Sequence, residues 1–330
     1  MKTIFVLTAL VTAAAVAPLT LPGSRSGAGF DDLRFSSELH RLLVPGGRSG
    51  RLYLVDAKTH AVEAVAGFSA SAEGGRGHSE GTTSADSGDG LIFASDRNDR
   101  SLVVVDPSTR RILAREKLGG GPDYVRWVAP LREIWVTEPG AKAIETFRLT
   151  GKSPPKLTPA GKIEVADGPE SLEIDPPRHR AYANTWHDTT VAIDLGSRAI
   201  AARWRNECGG ARGLAVDADN GLAFVGCTEG KAVALDVAHE GKVLGSAPAG
   251  KGVDVIAFSS KLSHLYVPGG EAANLTVVGV GPAGELSVLG TVPTAPDGHC
   301  VAADDQGNAY VCDPGKGQLL VYRDPYPASR

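Results

Sequence analysis

No segment of this 330-residue sequence carries a convincing amphipathic helix. Beyond residue 17, no apolar run reaches the roughly 20 residues that a membrane helix needs. Charge excess is small too, −4 at neutral pH, so the basic face that a nucleic-acid partner requires is not expected. There is no C-x-x-C-H site for haem attachment, and the cysteine spacings do not make a zinc knuckle. The G-H-S-E-G at Gly77 lacks the strand-turn-helix context of a serine nucleophile. What abounds instead is turn formers, 41 glycines and 21 prolines without a collagen-like period, alongside 42% hydrophobic residues. That balance fits a large core built from many short strands.

Residues 1–17 read as a secretory signal. Lys2 gives the charged start, Ile4 to Ala17 is apolar or small apart from threonines, and Ala15-Val16-Ala17 offers a small-x-small cleavage site. Pro18 is a poor first mature residue, which leaves cleavage after Ala15 open. About 14 apolar residues are too few to span a bilayer, and no cysteine stands at the cleavage point for lipid attachment. Export to a periplasm or the extracellular space is the expectation. Residues 18–29 are polar and rich in Gly, Ser and Pro, an arm or linker ahead of a single domain over 30–330.

The stretch Gly168 to Gly209 alternates apolar and polar residues in four short runs separated by turns, the pattern of four antiparallel strands. The unit recurs. Third-strand ends stand at Asp56, Asp106, Arg148, Asp194, Asp236, Gly279 and Arg323, at spacings of 50, 42, 46, 42, 43 and 44 residues. Seven four-stranded units at this period predict an all-β, seven-bladed β-propeller. A glycine-led turn opens most innermost strands (G-F-D-D-L-R-F at Gly29, G-P-D-Y-V-R-W at Gly121, G-P-E-S-L-E-I at Gly168), and the second blade is the least regular. The seventh blade shows only three strands. Leu19-Thr20-Leu21 supplies the fourth on one reading, and on the other the blade stays three-stranded.

The segments A-Y-A-N-T-W-H-D-T-T-V-A-I-D, E-I-W-V-T-E-P-G and L-I-F-A-S-D-R-N-D-R-S-L-V-V-V-D resemble the YVTN-type repeat of the YncE-like seven-bladed propellers. The resemblance covers nearly everything after the signal and implies the fold; the fold hosts many functions. In such a propeller the turn entering each first strand and the turn leaving each second strand share the face around the central tunnel. Two residues after the leading glycine stand Asp31, Asp123, Glu170, Arg212 and Asp254, with His299 in the seventh blade and Glu80 or Gly81 in the second. Second-strand exits add Asp96, Asp99, Glu138, His187, Asp188, Glu229, Glu271 and Asp313.

Clustered carboxylates suit a divalent cation, Ca²⁺ or Mg²⁺ more readily than Zn²⁺, with Asp123, Glu170, Asn184 and Asp254 as candidate ligands. Like charges also raise carboxylate pKa values and can create a general acid or base. The plainer reading is that each Asp caps its turn by accepting backbone N–H bonds. His78, His187 and His299 fall on the tunnel face, but His187 sits opposite the other two, against a three-histidine zinc site. The gluconolactonase-like propellers hold their ion with a Glu, two Asn and an Asp; here the ring carries no Asn, and Asn184 is the best neutral substitute. Trp186, beside His187, can stack a ligand; Trp127 and Trp135 read as packing between blades, and Trp204 lies on an outer strand.

Four cysteines in an exported chain should pair. Blades five and seven do not touch, so the expected bonds are Cys208–Cys227 and Cys300–Cys312. The expectation is a monomer that binds an unknown small molecule or protein through an acidic tunnel mouth. The competing reading is a lactonase-type hydrolase, in which Asp123, Glu170 and Asp254 hold the cation that polarises an ester carbonyl and activates water.

Overall fold

A sheet with alternating apolar residues cannot bury both faces alone, so each repeat must stack against its neighbours. The computed structural model describes residues 16–71, 80–151 and 154–330. In them lie seven four-stranded antiparallel sheets and three single-turn 3₁₀ segments. The first strands are Arg34–Ser36, Ala85–Gly88, Val125–Val128, Glu173–Asp175, Ala211–Asp217, Ala257–Ser259 and Val301–Ala303. Each lies beside the first strand of the next blade, and the seventh lies beside that of blade one. The protein is a closed seven-bladed propeller.

Local chemistry accounts for the repeat landmarks. Four of the third-strand ends are aspartates that cap the following turn: Asp56 accepts the Thr59 N–H at 2.8 Å and Asp106 the Ser108 N–H at 2.8 Å. Asp194 accepts the Ser197 N–H at 2.9 Å and Asp236 the His239 N–H at 3.0 Å. Hydrogen bonds from Ser108 and Thr109 draw the Asp106 carboxyl down to about 2. In blades two to six the outer strand slips register just before the landmark, at 104/105, 146/147, 192/193, 234/235 and 277/278. A bulge repeated at one place bends every outer strand alike.

Apolar side chains fill the spaces between blades. Trp135 is fully buried, and Trp127 stacks on Phe93 of blade two, ring centroids 5.2 Å apart. That contact needs Gly88, where a Cβ would stand 2.2 Å from the Trp127 ring. Trp204, on its outer strand, meets Tyr182 at 5.9 Å.

The seventh blade is completed from the other end of the chain. Val16–Thr20 pairs antiparallel with Gln318–Arg323, from Val16 opposite Tyr322 to Thr20 opposite Gln318. Of the two readings of this blade, the closing strand is the observed one, and it starts at Val16, inside the segment read as a leader. Pro18 is tolerated because the strand is an edge. Residues 1–15 and His78 lie outside the described residues.

The C-terminal residues form no strand. Asp324 accepts the Tyr266 hydroxyl at 2.7 Å and lies 2.8 Å from His264 Nδ1. Arg330 donates to Ser263 Oγ at 2.9 Å and forms an ion pair with Asp217 of blade five. Both expected disulfides are present, with Cα separations of 5.3 Å for Cys208–Cys227 and 5.6 Å for Cys300–Cys312. Each staples one blade. Among the described residues no helix is long and apolar enough to cross a membrane.

Candidate functional site at the tunnel mouth

Each blade enters its first strand through a tight turn. Gly29, Gly81, Gly168 and Gly252 take φ of +71°, +71°, +75° and +79°, and Asp297 takes +58°. Two residues on, the chain is held by the end of the second strand: Asp123 donates its N–H to Thr137 O at 2.8 Å and Glu170 to Asn184 O at 2.8 Å. The ring in this register is Asp31, Thr83, Asp123, Glu170, Arg212, Asp254 and His299. The blade-two member differs from the expectation. Gly81 opens that strand, so the ring position falls on Thr83, whose hydroxyl meets Asp123 O at 3.3 Å. Glu80 turns away to Arg48, 3.2 Å from its Nε.

Glu170 lies at the centre of the site's electrostatics. It is 9% exposed; its Oε1 stands 3.4 Å from Arg212 Nε, and its Oε2 is buried without a hydrogen-bond partner. Burial, then the charges of Asp123 and Asp254, push its carboxyl up to about 9 against the opposing pull of Arg212. Asp31 adds a smaller push. Residues from blades one, three, four, five and six thus act on one group, which only the axis of the ring permits. Tyr124 is held protonated by its burial and then by Asp32, Asp254, Asp31 and Asp123.

The rim is shaped by basic and aromatic side chains. Arg97 forms an ion pair with Asp123 and donates from Nε to Pro122 O at 2.7 Å. Arg212 lies over the Trp186 ring, 4.7 Å from its centroid, and Trp186 is 42% exposed, a flat apolar face beside the acids. His187 is exposed next to it, its carbonyl accepting the Ala211 N–H at 2.8 Å. His299 bridges blades seven and one: its Nδ1 is 2.6 Å from Asp297 O and its Nε2 3.1 Å from Phe30 O.

Asn184 does not join this group as a neutral ligand. Its amide nitrogen donates to Arg212 O at 2.9 Å and Gly213 O at 3.0 Å, and its oxygen accepts from Thr190 Oγ1 at 2.7 Å. It is fully buried between blades four and five. Several second-strand exits take the plainer role. Glu229 caps Gly209 at 2.7 Å, Glu138 caps Gly120 at 2.8 Å, and Asp96 accepts Ser69 N at 2.8 Å.

The acids have the right chemistry for a hard cation, but they are not gathered as chelators. Among the described residues, the groups of three or more His, Cys, Asp or Glu with ligand atoms within 4.8 Å are His299–Cys300–Cys312 and Cys208–Cys227–Glu229. Their cysteines are spent in disulfides, and the ring acids Asp31, Asp123, Glu170 and Asp254 are in neither.

Below the mouth lies a second ring, three residues further along the same strands, that the sequence reasoning missed. It reads Arg34, Asp86, Arg126 and Glu173 in blades one to four, then Ala215, Ala257 and Ala302 in blades five to seven. Arg126, 1% exposed, clamps Asp32 through two bonds of 2.6 and 3.0 Å and meets Glu173 at 2.9 Å. Arg34 joins Asp86 at 2.9 Å to Glu173 at 2.8 Å. This ring borders a cavity of about 240 Å³ whose lining includes none of the mouth residues. The repeat register gives the positions of the charged and the alanine half, but the pairing of the charges is made between blades.

No family model matches this chain, and no curated protein does. Solved structures do. A chain of the Kuenenia stuttgartiensis hydrazine synthase is similar at a TM-score of 0.74 and 16% identity, over 91% of this chain and 96% of that one. A chain of the mitotic checkpoint complex is similar at 0.76 and 13% identity, over 98% and 97%. At such identities the likeness is one of fold, and the fold they share with this chain is the propeller.

Proposed function

We propose that the protein is an exported, YncE-like binding scaffold whose acidic tunnel mouth takes a cationic ligand, an ammonium or guanidinium group on a small molecule or a partner. The observation that carries this reading is Glu170: an acid with an unpartnered buried oxygen, set among Asp31, Asp123 and Asp254. An orphaned buried acceptor is costly, and a donor-bearing cation relieves it. Acids spread wider than a chelation sphere suit an organic cation better than a bare metal ion. The exposed Trp186 face adds cation–π or stacking contact at the rim. Seven blades hold these groups rigidly, so little ordering entropy is lost on binding. Two cysteine pairs and the apolar leader support export.

The test is calorimetric titration of the mature protein with a diamine, free arginine and, separately, Ca²⁺. The expected result is binding of an organic cation, weakened at least about tenfold in Glu170→Gln or Asp254→Asn. Absence of heat and of any melting shift with all three probes rejects the reading. Tight Ca²⁺ binding with lactone turnover that chelators abolish would favour the hydrolase instead.

A further inference from the structure

A second polar pocket lies beside the blade-one entry to the mouth, where the N-terminal segment crosses onto blade one, and it is lined by none of the ring residues. Its volume is about 360 Å³, in the range of small-molecule sites. Residues 23–28, just after the closing strand, form one wall, and the blade-one turn around Arg48, Ser49 and Arg51 forms the other. Three of its lining atoms are buried without a hydrogen-bond partner: Ser24 Oγ, Ser49 Oγ and Arg48 Nη2.

Arg48 is the informative residue. It is 8% exposed, and its other donors are fixed, Nε on Glu80 at 3.2 Å and Nη1 on Gly27 O at 2.7 Å. The guanidinium is therefore held rigidly with one donating nitrogen left over. Arg51 is steadied in turn by Gly23 O and Ser49 O, both at 3.2 Å from Nη1. Gly23 makes room for it, since a Cβ there would stand 3.0 Å from the guanidinium carbon. Arg25 also lines the pocket. Among the described residues the lining carries three guanidiniums and four serines; the adjoining Glu80 carboxylate already takes Arg48 Nε and the Ser71 hydroxyl.

We propose that this pocket binds a tetrahedral oxyanion, a phosphate or sulfate group, held by Arg48 Nη2, Arg51 and the hydroxyls of Ser24 and Ser49. Guanidiniums suit the acceptor geometry of such a group, and hydroxyls can turn to donate to it. The pocket has room for the group and part of a molecule carrying it. Because its walls belong to the closing segment and to blade one, an occupant pins the N-terminal strand in place. The site shares no residue with the tunnel mouth, so the two readings stand or fall separately.

The probes are inorganic phosphate, inorganic sulfate and a phosphomonoester, each against chloride at matched ionic strength. Binding is read by calorimetry and by the rise in melting temperature that accompanies native-state binding. Arg51→Gln and Ser49→Ala are expected to weaken the oxyanion at least about tenfold while unliganded melting stays near wild type. Glu170→Gln should leave it unchanged. A phosphomonoester tighter than free phosphate identifies a carried group; equal affinity identifies the free ion. No heat and no melting shift up to about 10 mM, a concentration that exposes even weak sites, overturns the proposal. So does binding that survives both variants.

Discussion

The raised carboxyl of Glu170 makes a quantitative demand on stability. Its native pKa of about 9 lies far above the ordinary value of 4.5, so between these values the folded chain keeps a proton that the unfolded chain releases. Unfolding then releases protons, and stability must fall as pH rises through that window, fully retained below about 4.5 and lost by about 9. At about 1.4 kcal/mol per pH unit, the loss from this group amounts to about 3 kcal/mol between pH 4.5 and pH 7. A further 2 to 3 kcal/mol or so follows by pH 9. Glu170→Gln keeps the shape of the protonated acid and has nothing to titrate. Urea unfolding of both proteins at pH 5, 7 and 8.5 should therefore give nearly equal midpoints at pH 5 and a variant progressively more stable above it. A bound cation reverses the sign for the wild type: it favours the carboxylate and should expel close to one proton at pH 7, read from binding heats in buffers of different ionisation enthalpy. Parallel pH profiles for the two proteins, or binding without proton release, would refute the reasoning.

Other outcomes follow from the same structure. Asp123→Asn and Asp254→Asn each remove a like charge from Glu170 and should lower its apparent pKa, by about one unit, in carboxyl NMR titrations. Arg126→Met leaves Asp32 and Glu173 buried without their shared cation and should cost about 3 to 5 kcal/mol in denaturant unfolding. Replacing Cys208 and Cys227 together by alanine opens a loop with a sequence separation of 19 and should cost about 3 kcal/mol, visible as a lower melting temperature.

Blade count and boundaries were legible because their causes are local. Asp56, Asp106, Asp194 and Asp236 cap turns within three residues of themselves, so the motif survives in any reading of the sequence. The register of the ring positions has a similar local cause in five blades, where Gly29, Gly81, Gly168, Gly252 or Asp297 takes a left-handed turn two residues ahead. Blade two was misread because two glycines, Gly77 and Gly81, compete to lead that strand. Asn184 misled because its partners, Arg212 and Gly213, belong to the next blade, and spacing within a blade cannot reveal them. The Arg34–Asp86–Arg126–Glu173 network hid for the same reason: each residue looks like an ordinary strand charge until blades one to four meet. Composition marked residues 18–29 as a linker, although Val16–Thr20 is paired and the segment after it walls a pocket.

The pairing of Val16–Thr20 with Gln318–Arg323 has a consequence for the order of events as the chain is made. Val16–Thr20 is synthesised about 300 residues before its partner and must wait for it. Until then six blades can form in sequence while Gln318–Arg323 presents an open row of amides and carbonyls. That edge cannot distinguish its own Val16–Thr20 from the same segment of a second copy. Crowded, newly made chains therefore have a route to exchange first strands, yielding dimers whose blades are each correctly formed but whose rings are closed in pairs.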